Sequence, residues 1–271
     1  MPENHLLKSR KSDHIRINLE EDVRSGLTTG LEGYRLLHCA LPDADLASID
    51  LSQTLFGRVI RTPLLISSMT GGTQEAGQIN RRLAEAAQQA GIAIGLGSQR
   101  AALEHPEQST TFAIRAYAPD TLIFANLGAV QLNTGYGLAE CQRAVDMAGA
   151  DALFLHLNPL QEALQPEGDY DWRGLLSKIE HLCRHLPVPV VVKEVGWGIS
   201  GALARQLAEV GVSAVDIAGA GGTSWSQVER FRLQDPLLIE VADAFRCWGI
   251  PTAESLRMVR QSAPNLPVFA S

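Results

Sequence analysis

Seven short runs rich in Val, Ile, Leu and Phe recur along the chain, and they narrow the possible folds more than any other property. They are Leu64–Met69, Ile92–Gly97, Leu122–Leu127, Ala152–Asn158, Val188–Val195, Ala214–Ala218 and Val268–Ser271. Most are separated by roughly 25 to 35 residues, the length of one strand–helix unit. Amphipathic stretches such as QINRRLAEAAQQAG lie between them and end near a glycine, as helices commonly do. The pattern predicts a parallel sheet covered by helices on both faces.

Polar residues follow nearly every one of these predicted strands. They are Thr70, Ser98, Asn126, His156, Asn158, Lys193, Glu194 and Asp216. A closed barrel gathers such residues in one ring, whereas an open doubly wound sheet uses mainly one crevice. We therefore predict an α/β fold of the (β/α)8 TIM-barrel type over residues 61–271, preceded by an N-terminal arm or cap over residues 1–60.

The strand count falls one short of that fold, because a closed barrel has eight strands and typically about 250 residues of its own. The seventh predicted strand, VFAS, ends the sequence at Ser271. We expect the final barrel units to be missing from the chain as given, and we disfavour a barrel of seven strands.

Composition excludes several classes of function. The formal net charge of −7 over 271 residues disfavours general nucleic-acid binding, although locally gathered basic groups still allow a small anionic ligand. The four cysteines are scattered, which is typical of reduced thiols in a reducing compartment. No apolar run has the length of a signal peptide or a membrane span, and we predict a cytoplasmic protein.

Two Ser/Gly-rich segments follow the first two predicted strands. In SSMTGGT, Ser67–Thr73, adjacent glycines let the backbone approach a flat or phosphorylated ligand, or they simply form a turn. In GLGSQRA, Gly95–Ala101, Arg100 offers a planar fork suited to phosphate or carboxylate. The alternative for Arg100 is a structural pair with Glu104.

The segment HLNPLQE is the most informative. His156 and Asn158 project to the same side of a strand, and Gln161 and Glu162 follow on the next loop. An imidazole can bind an anionic oxygen, and Glu162 offers a hard oxygen ligand for Mg2+. A histidine satisfied within the core is the alternative.

Lys193 ends a strongly apolar strand, where a buried ammonium needs an anion nearby. Three interpretations remain open: a Schiff base with a carbonyl substrate, a cation beside the N1–C2=O edge of a flavin, or a structural pair with Glu194 or Asp216. In DIAGAGGTSW, Thr223 adds a hydroxyl, and Trp225 is either a hydrophobic wall for a ligand or a packing anchor.

Seven motifs, taken together and in order, resemble the type 2 isopentenyl diphosphate isomerases. They are RKSDH at Arg10–His14, SSMTGGT, GLGSQR, ANLG at Ala125–Gly128, HLNPLQE, VKEVGWG and GAGGTSW. The resemblance implies FMN and Mg2+ as cofactors, with NAD(P)H serving only to reduce the flavin. It implies interconversion of isopentenyl and dimethylallyl diphosphate without net redox change, the reduced flavin acting as acid/base at N5. It also implies a homo-oligomer, a tetramer or octamer.

Residue roles follow from the resemblance, motif by motif. The expected flavin contacts are Ser67, Met69, Thr70, Ser98, Asn126, Lys193 and Thr223. The expected substrate contacts are Arg10, Lys11, Arg100, His156, Asn158, Gln161 and Trp225. Glu162 is the expected metal ligand, and Gln161, His156 and Lys193 are the expected catalytic residues. Family members continue past VFAS with a glycine-rich turn and a strand that bind the FMN phosphate, so this chain is expected to bind FMN poorly.

Three other functions are weighed against the isomerase. An FMN-dependent 2-hydroxy acid oxidase needs a catalytic histidine beside a carboxylate-binding arginine late in the barrel, and no such pair stands out before Ser271. A Schiff-base aldolase would use Lys193. A barrel that only binds a phosphorylated metabolite would need no catalytic residue.

Overall fold

The computed structural model describes residues 13–68 and 70–271, and a parallel sheet of seven strands dominates it. The strands are β3 Leu65–Ile66, β4 Ala93–Gly95, β5 Ile123–Gly128, β6 Ala152–Leu157, β7 Val190–Glu194, β8 Ala214–Asp216 and β9 Val268–Phe269. They lie side by side in chain order, and every neighbouring pair is parallel. All seven predicted strands are confirmed. In the described part of the chain, β3 and β9 form the two edges of this half-barrel.

Helices connect the strands and cover the outer face of the sheet. Residues 13–20 form α1, and the others are α2 Gln74–Ala90, α3 Arg100–Glu104, α4 Leu138–Ala148, α5 Pro159–Leu164, α6 Leu175–His185, α7 Gly201–Glu209, α8 Trp225–Arg230, α9 Pro236–Ala244 and α10 Thr252–Ser262. In the part of the chain that the structure describes, five short 3-10 helices occupy loops at Leu31–Gly33, Leu46–Ser48, Pro106–Thr111, Arg115–Tyr117 and Ala129–Asn133. Helices α2 and α4 end at Gly91 and Gly149 in the left-handed conformation, as the sequence predicts. Within the described residues, no helix is long and apolar enough to cross a membrane.

Two hydrophobic cores lie on the two sides of the sheet. The larger core packs the strands against the surrounding helices. The smaller one fills the inside of the half-barrel, where the rings of Phe124 and Phe154 stack with centroids 4.3 Å apart. Such a filled interior is what a barrel of this type contains in place of a pore.

A β-hairpin closes one end of this interior, the end at which the seven strands begin, which we call the lower end. It pairs β1 Gln53–Leu55 with β2 Arg58–Ile60, and the two residues at its tip, Phe56 and Gly57, both have positive φ. The ring of Phe56 meets Phe124 edge-on, with centroids 6.1 Å apart. The hairpin therefore places a plug at the end where the strands begin.

An extended segment near the N-terminus crosses the opposite end of the half-barrel, where the strands finish, which we call the upper end. We call residues 23–29 the strap. Its backbone bonds to the loop after β8, with Ser25 N donating to Gly222 O at 2.8 Å and Ser224 N donating to Val23 O at 2.8 Å. Only glycine fits where the strap crosses Gly221, because a Cβ there would lie 2.3 Å from the Thr29 nitrogen and φ is +127°.

Candidate active site

Polar side chains form a layer directly above the apolar interior. One row of residues lies side by side across the four neighbouring strands β5 to β8. In order across the sheet they are Gly128, His156, Lys193 and Asp216. Residues two positions earlier, such as Phe154, belong to the interior core. Side chains at a spacing of two share one face of a sheet, so this layer faces the barrel interior at the carboxyl ends of the strands. The predicted gathering of His156 and Lys193 at one end is confirmed.

Lys193 is paired with Asp216 inside this layer. Its Nζ donates to Asp216 Oδ2 at 2.7 Å and to Ser271 Oγ at 2.9 Å. Lys193 is 5% exposed and Asp216 is fully buried. Of the two carboxylates considered from the sequence, Asp216 is thus the partner. This is the structural pair with Asp216 that the sequence allows as one of three interpretations of Lys193.

His156 and Asn126 form a second pair in the layer. His156 Nδ1 lies 2.8 Å from Asn126 Oδ1, and an amide oxygen can only accept, so Nδ1 carries the proton. Asn126 is itself fixed by Gln99, whose side-chain oxygen accepts from Asn126 N at 2.9 Å. Gln99 was not predicted as a site residue, although it lies within the GLGSQR motif.

Asn158, Gln161 and Glu162 converge at the start of α5. Asn158 Nδ2 donates to Gln161 Oε1 at 3.2 Å and to Glu162 Oε1 at 2.8 Å. All three side chains are buried. Asn158 Oδ1 is buried and has no hydrogen-bond partner in the described structure, which leaves an acceptor available at the site. Of the four side chains predicted from HLNPLQE to converge, Asn158, Gln161 and Glu162 are thus joined directly, and His156 contacts Asn126.

Glu229 on α8 holds Gln161 and was missed from the sequence. Its Oε1 accepts from Gln161 Nε2 at 2.9 Å and from Gln165 Nε2 at 2.8 Å, and lies 3.2 Å from His14 Nε2. Arg232 donates to its other oxygen at 2.6 Å. Burial alone would raise the pKa of Glu229, but the bond to His14 and the charges of His14 and Arg232 outweigh it and lower that pKa to about 2. The carboxylate is therefore ionised at neutral pH.

Arg100 begins α3 and lies between two carboxylates. Its Nε donates to Glu104 Oε1 and its Nη1 to Asp169 Oδ2, both at 2.9 Å. The structural pair with Glu104, one of the two interpretations of this residue, is present. The guanidinium remains partly exposed at 31%, so it is open to a further ligand.

Glu194 follows Lys193 and supports the turn above β7. Its Oε2 accepts from the backbone nitrogens of Val195, Gly196 and Trp197 at 2.6 to 2.7 Å. Burial raises the pKa of Glu194 to about 7, and the three N–H donors offset only part of that effect. Glu194 thus organises backbone and does not pair with Lys193.

The remaining predicted residues that the structure describes follow strands β3, β4 and β8. Ser67, Thr70 and Ser98 are half-buried, and Thr223 is exposed beside the strap. Trp225 is half-buried and meets the ring of His14 edge-on, with centroids 5.0 Å apart, and the rest of its side chain stays partly accessible to a ligand. Arg10, Lys11 and Met69 lie outside the described residues.

Comparisons with curated proteins give consistent matches over nearly the whole chain. "Isopentenyl-diphosphate delta-isomerase" of Synechocystis sp. is 62% identical over 263 residues, covering 97% of this chain and 75% of the relative. The protein of that name from Nostoc sp. is 58% identical over 265 residues, covering 97% and 76%, and that from Rickettsia felis is 54% identical over 272 residues, covering 100% and 79%. No protein-family model matches the chain.

Solved structures give the fold alone. A mutant of mandelate oxidase with (S)-mandelic acid has a TM-score of 0.52 at 17% identity, covering 98% of this chain and 83% of that one. A mutant of an active chimera of (S)-mandelate dehydrogenase has a TM-score of 0.51 at 17% identity, covering 83% and 73%. At this identity the likeness supports the predicted barrel class and says nothing of substrate.

Proposed function

The chain belongs to the isopentenyl-diphosphate delta-isomerase family, and on that premise we propose that it interconverts isopentenyl diphosphate and dimethylallyl diphosphate with FMN and Mg2+. The observation that carries the chemistry is the polar layer of Asn126, His156, Lys193 and Asp216 above an apolar barrel floor. Sites of this fold class lie at that end of the barrel.

The layer fits a flat, polar cofactor such as FMN. Lys193 supplies a buried positive charge, which would stabilise the negative charge of a reduced flavin ring. Ser67, Thr70, Ser98 and Asn126 would supply hydrogen bonds along its edge, together with Met69 and Thr223. FMN, when bound and reduced, would supply the acid/base chemistry on the alkene without net redox change. NAD(P)H would serve only to reduce it.

Binding of the diphosphate falls to the residues around Arg100. The guanidinium of Arg100 would contact the anionic oxygens, with Arg10 and Lys11 joining from the N-terminal arm. His156 would join them as a doubly protonated ring, donating from Nε2 to the ligand while Nδ1 keeps its bond to Asn126. Asn158, two residues after His156, would contact the same oxygens. Because His156 also contacts Asn126, it links the diphosphate end of the site to the proposed flavin edge.

Glu162 would be the protein's ligand for Mg2+. Within the described residues, no three His, Cys, Asp or Glu side chains group as metal ligands. One carboxylate still fits this metal, because Mg2+ commonly binds through one or two carboxylates and completes its shell with phosphate oxygens and water. We therefore propose that the metal is shared between Glu162 and the substrate.

Gln161 would face the alkene, with its orientation set by Glu229. The bond from Gln161 Nε2 to the ionised carboxylate leaves Oε1 toward Asn158. A neutral amide is a poor acid or base. We therefore propose that Gln161 orients the alkene carbons of the substrate and the proton that is transferred to or from them. Trp225 would close the apolar side of that space.

The domain division and assembly are proposals too. We propose that residues 61–271 form the catalytic barrel and that residues 1–60 form its N-terminal arm, in which the strap caps the upper end while the hairpin β1–β2 plugs the lower one. We also propose that the protein forms a homo-oligomer of four or eight copies. The exposed leucines of the arm, Leu36, Leu37 and Leu41, are at least 90% exposed in a single copy and favour such assembly.

Anaerobic turnover tests the proposal. The protein is titrated with FMN until its absorbance change saturates, the flavin is reduced, and isopentenyl diphosphate is added with and without Mg2+. We expect dimethylallyl diphosphate only when both reduced FMN and Mg2+ are present. Hydrogen peroxide from a 2-hydroxy acid under air, with no isomerised product from flavin-saturated protein, would instead establish an oxidase.

A further inference from the structure

Asp169 joins a proposed substrate-binding residue, Arg100, to the proposed metal ligand, Glu162, although no motif in the sequence singles it out. Its Oδ2 accepts from Arg100 Nη1 at 2.9 Å. Its backbone nitrogen donates to Glu162 Oε2, also at 2.9 Å. A weaker contact of 3.4 Å joins the same Oδ2 to Gln131 Nε2. One residue thus contacts both the guanidinium and the carboxylate expected at the diphosphate.

The loop around Asp169 is itself held firmly. Gly168 packs against the backbone of Glu162 so closely that a Cβ would lie 1.9 Å from the Glu162 oxygen. Trp172 Nε1 donates to Asp169 O at 3.2 Å, and Tyr170 Oη donates to Gln165 O at 2.7 Å. These contacts fix the position of the Asp169 carboxylate relative to α5.

We propose that Asp169 is a positioning residue that fixes the guanidinium of Arg100 at a set distance from Glu162. The inference rests on the proposed function. An arginine side chain has many rotamers, and without Asp169 the guanidinium would keep only Glu104, four residues along its own helix. Because Asp169 already holds the guanidinium of Arg100 before a ligand binds, less side-chain conformational entropy is lost on binding.

The local charges specify which ligand the arrangement accepts. Among the described residues joined by these contacts, Arg100 is the one cation beside the carboxylates of Glu104, Asp169 and Glu162, so this cluster is anionic before a metal or the N-terminal arm joins it. A bare diphosphate is repelled there, whereas a diphosphate carrying Mg2+ offers its metal to Glu162 and its oxygens to Arg100. The positioned pair therefore recognises the metal–diphosphate unit.

The test compares D169N with D171N. The D169N substitution keeps the backbone bond to Glu162 and removes the charge that holds Arg100. Asp171 lies in the same loop, is exposed and pairs with its neighbour Arg173, which makes D171N a matched control. Binding of inorganic pyrophosphate is measured by calorimetry with and without Mg2+, and steady-state kinetics are measured alongside.

We expect D169N to weaken binding of Mg2+-pyrophosphate about tenfold and to raise KM for isopentenyl diphosphate by a similar factor, with kcat within about twofold of wild type. D171N should match wild type in all three. With Arg100 already replaced in R100Q, adding D169N should weaken binding no further, because the two residues act as one unit.

Unchanged or tighter Mg2+-pyrophosphate binding by D169N would overturn the inference, as would full additivity in the double variant R100Q/D169N. A melting temperature near that of wild type verifies that D169N is folded. Failure of the proposed function has a different signature: flavin-saturated wild-type protein binds Mg2+-pyrophosphate yet makes no dimethylallyl diphosphate.

Discussion

At the scale of single residues, the upper end of the barrel concentrates charges that water cannot reach. Lys193 and Asp216 are both buried, and each satisfies the other at 2.7 Å. Taking two such charges out of water costs several kcal/mol per ion, and their attraction offsets this only while both are present. The pair is better suited to presenting a fixed cation to a ligand than to stabilising the fold.

Asp216→Asn should therefore destabilise the protein by about 3–5 kcal/mol, because it leaves Lys193 buried without its counter-ion. Urea denaturation followed by circular dichroism measures the loss. Glu85→Gln is the control, since Glu85 forms an exposed pair with Arg81 and should change the free energy of unfolding by less than about 0.5 kcal/mol. Equal losses in the two variants would contradict this account of the buried pair.

Glu194 gives a pH dependence with a definite sign. Its folded pKa, about 7, lies above the ordinary value of 4.5, so the folded state holds this proton more tightly than the unfolded state does. The stabilisation is complete below pH 4.5 and is lost as the pH rises to about 7. It amounts to roughly 3.4 kcal/mol at most, at roughly 1.36 kcal/mol per pKa unit.

Glu194→Gln should flatten this part of the pH profile, because the amide oxygen accepts the same three N–H bonds but does not titrate. The free energy of unfolding is measured from urea titrations at several pH values between about 4.5 and about 7.5. Wild type should lose stability across that window relative to the variant. Parallel profiles would show that Glu194 does not titrate there.

At the scale of elements, the sequence predicts the strands well and their attachments poorly. Alternation of apolar runs with amphipathic helices identifies all seven strands of the sheet. The hairpin β1–β2 is missed, because its two strands have three residues each and its tip carries Phe56 where turns favour Asn or Asp. The spacing of apolar residues along the chain predicts whether a segment is a strand or a helix. The conformation of a turn such as the one at Phe56 depends also on packing against residues far away in the chain.

In the candidate site too, the local sequence predicts some residues, whereas others are brought in by the tertiary fold and are not predicted. Asn158, Gln161 and Glu162 converge as predicted, because strand alternation and Pro159 define their directions locally. Glu229 is missed because its partner Gln161 is 68 residues away and nothing in SQVER distinguishes it from a surface glutamate. Partners of buried charges are chosen by the tertiary fold, so a local reading of the chain does not find them.

Helix α1 provides a prediction at this scale. Ile17 is fully buried against Val23 and Val228, whereas Leu19 on the same helix is 80% exposed. Ile17→Ala should cost about 2–4 kcal/mol of docking energy and release the contact between His14 and Glu229. Hydrogen exchange of residues 13–20 should rise in that variant and remain unchanged in Leu19→Ala. Equal exchange in both would show that the helix is not held by its apolar side.

At the scale of the whole molecule, the two ends of the barrel serve different purposes. The lower end is an apolar plug, and the upper end holds the polar layer about two residues further along each strand. Phe56 adopts a φ of +50°, which is unfavourable for an aromatic residue, and its ring packing on Phe124 offsets that strain.

Phe56→Ala should thus lower the free energy of unfolding by about 2–4 kcal/mol and leave KM for isopentenyl diphosphate unchanged, since packing at this end of a barrel concerns stability. Val59→Ala, on the exposed side of the same hairpin, is the control and should have little effect on either quantity. Denaturation and steady-state kinetics decide the matter. A changed KM in Phe56→Ala would show that the two ends are coupled.

The position of the strap in the chain determines when it can pair during synthesis and folding. Residues 23–29 bond to the loop near Gly222 and to Arg246 and Ala253, which lie roughly 200 positions later in the chain. At about 5–20 residues per second, a ribosome makes those partners roughly 10–40 seconds after the strap. During synthesis the strap must wait unpaired while the strands between assemble. Its closure over the site is then among the last steps of folding, so a slow final phase in which the site forms is expected after the sheet itself is complete.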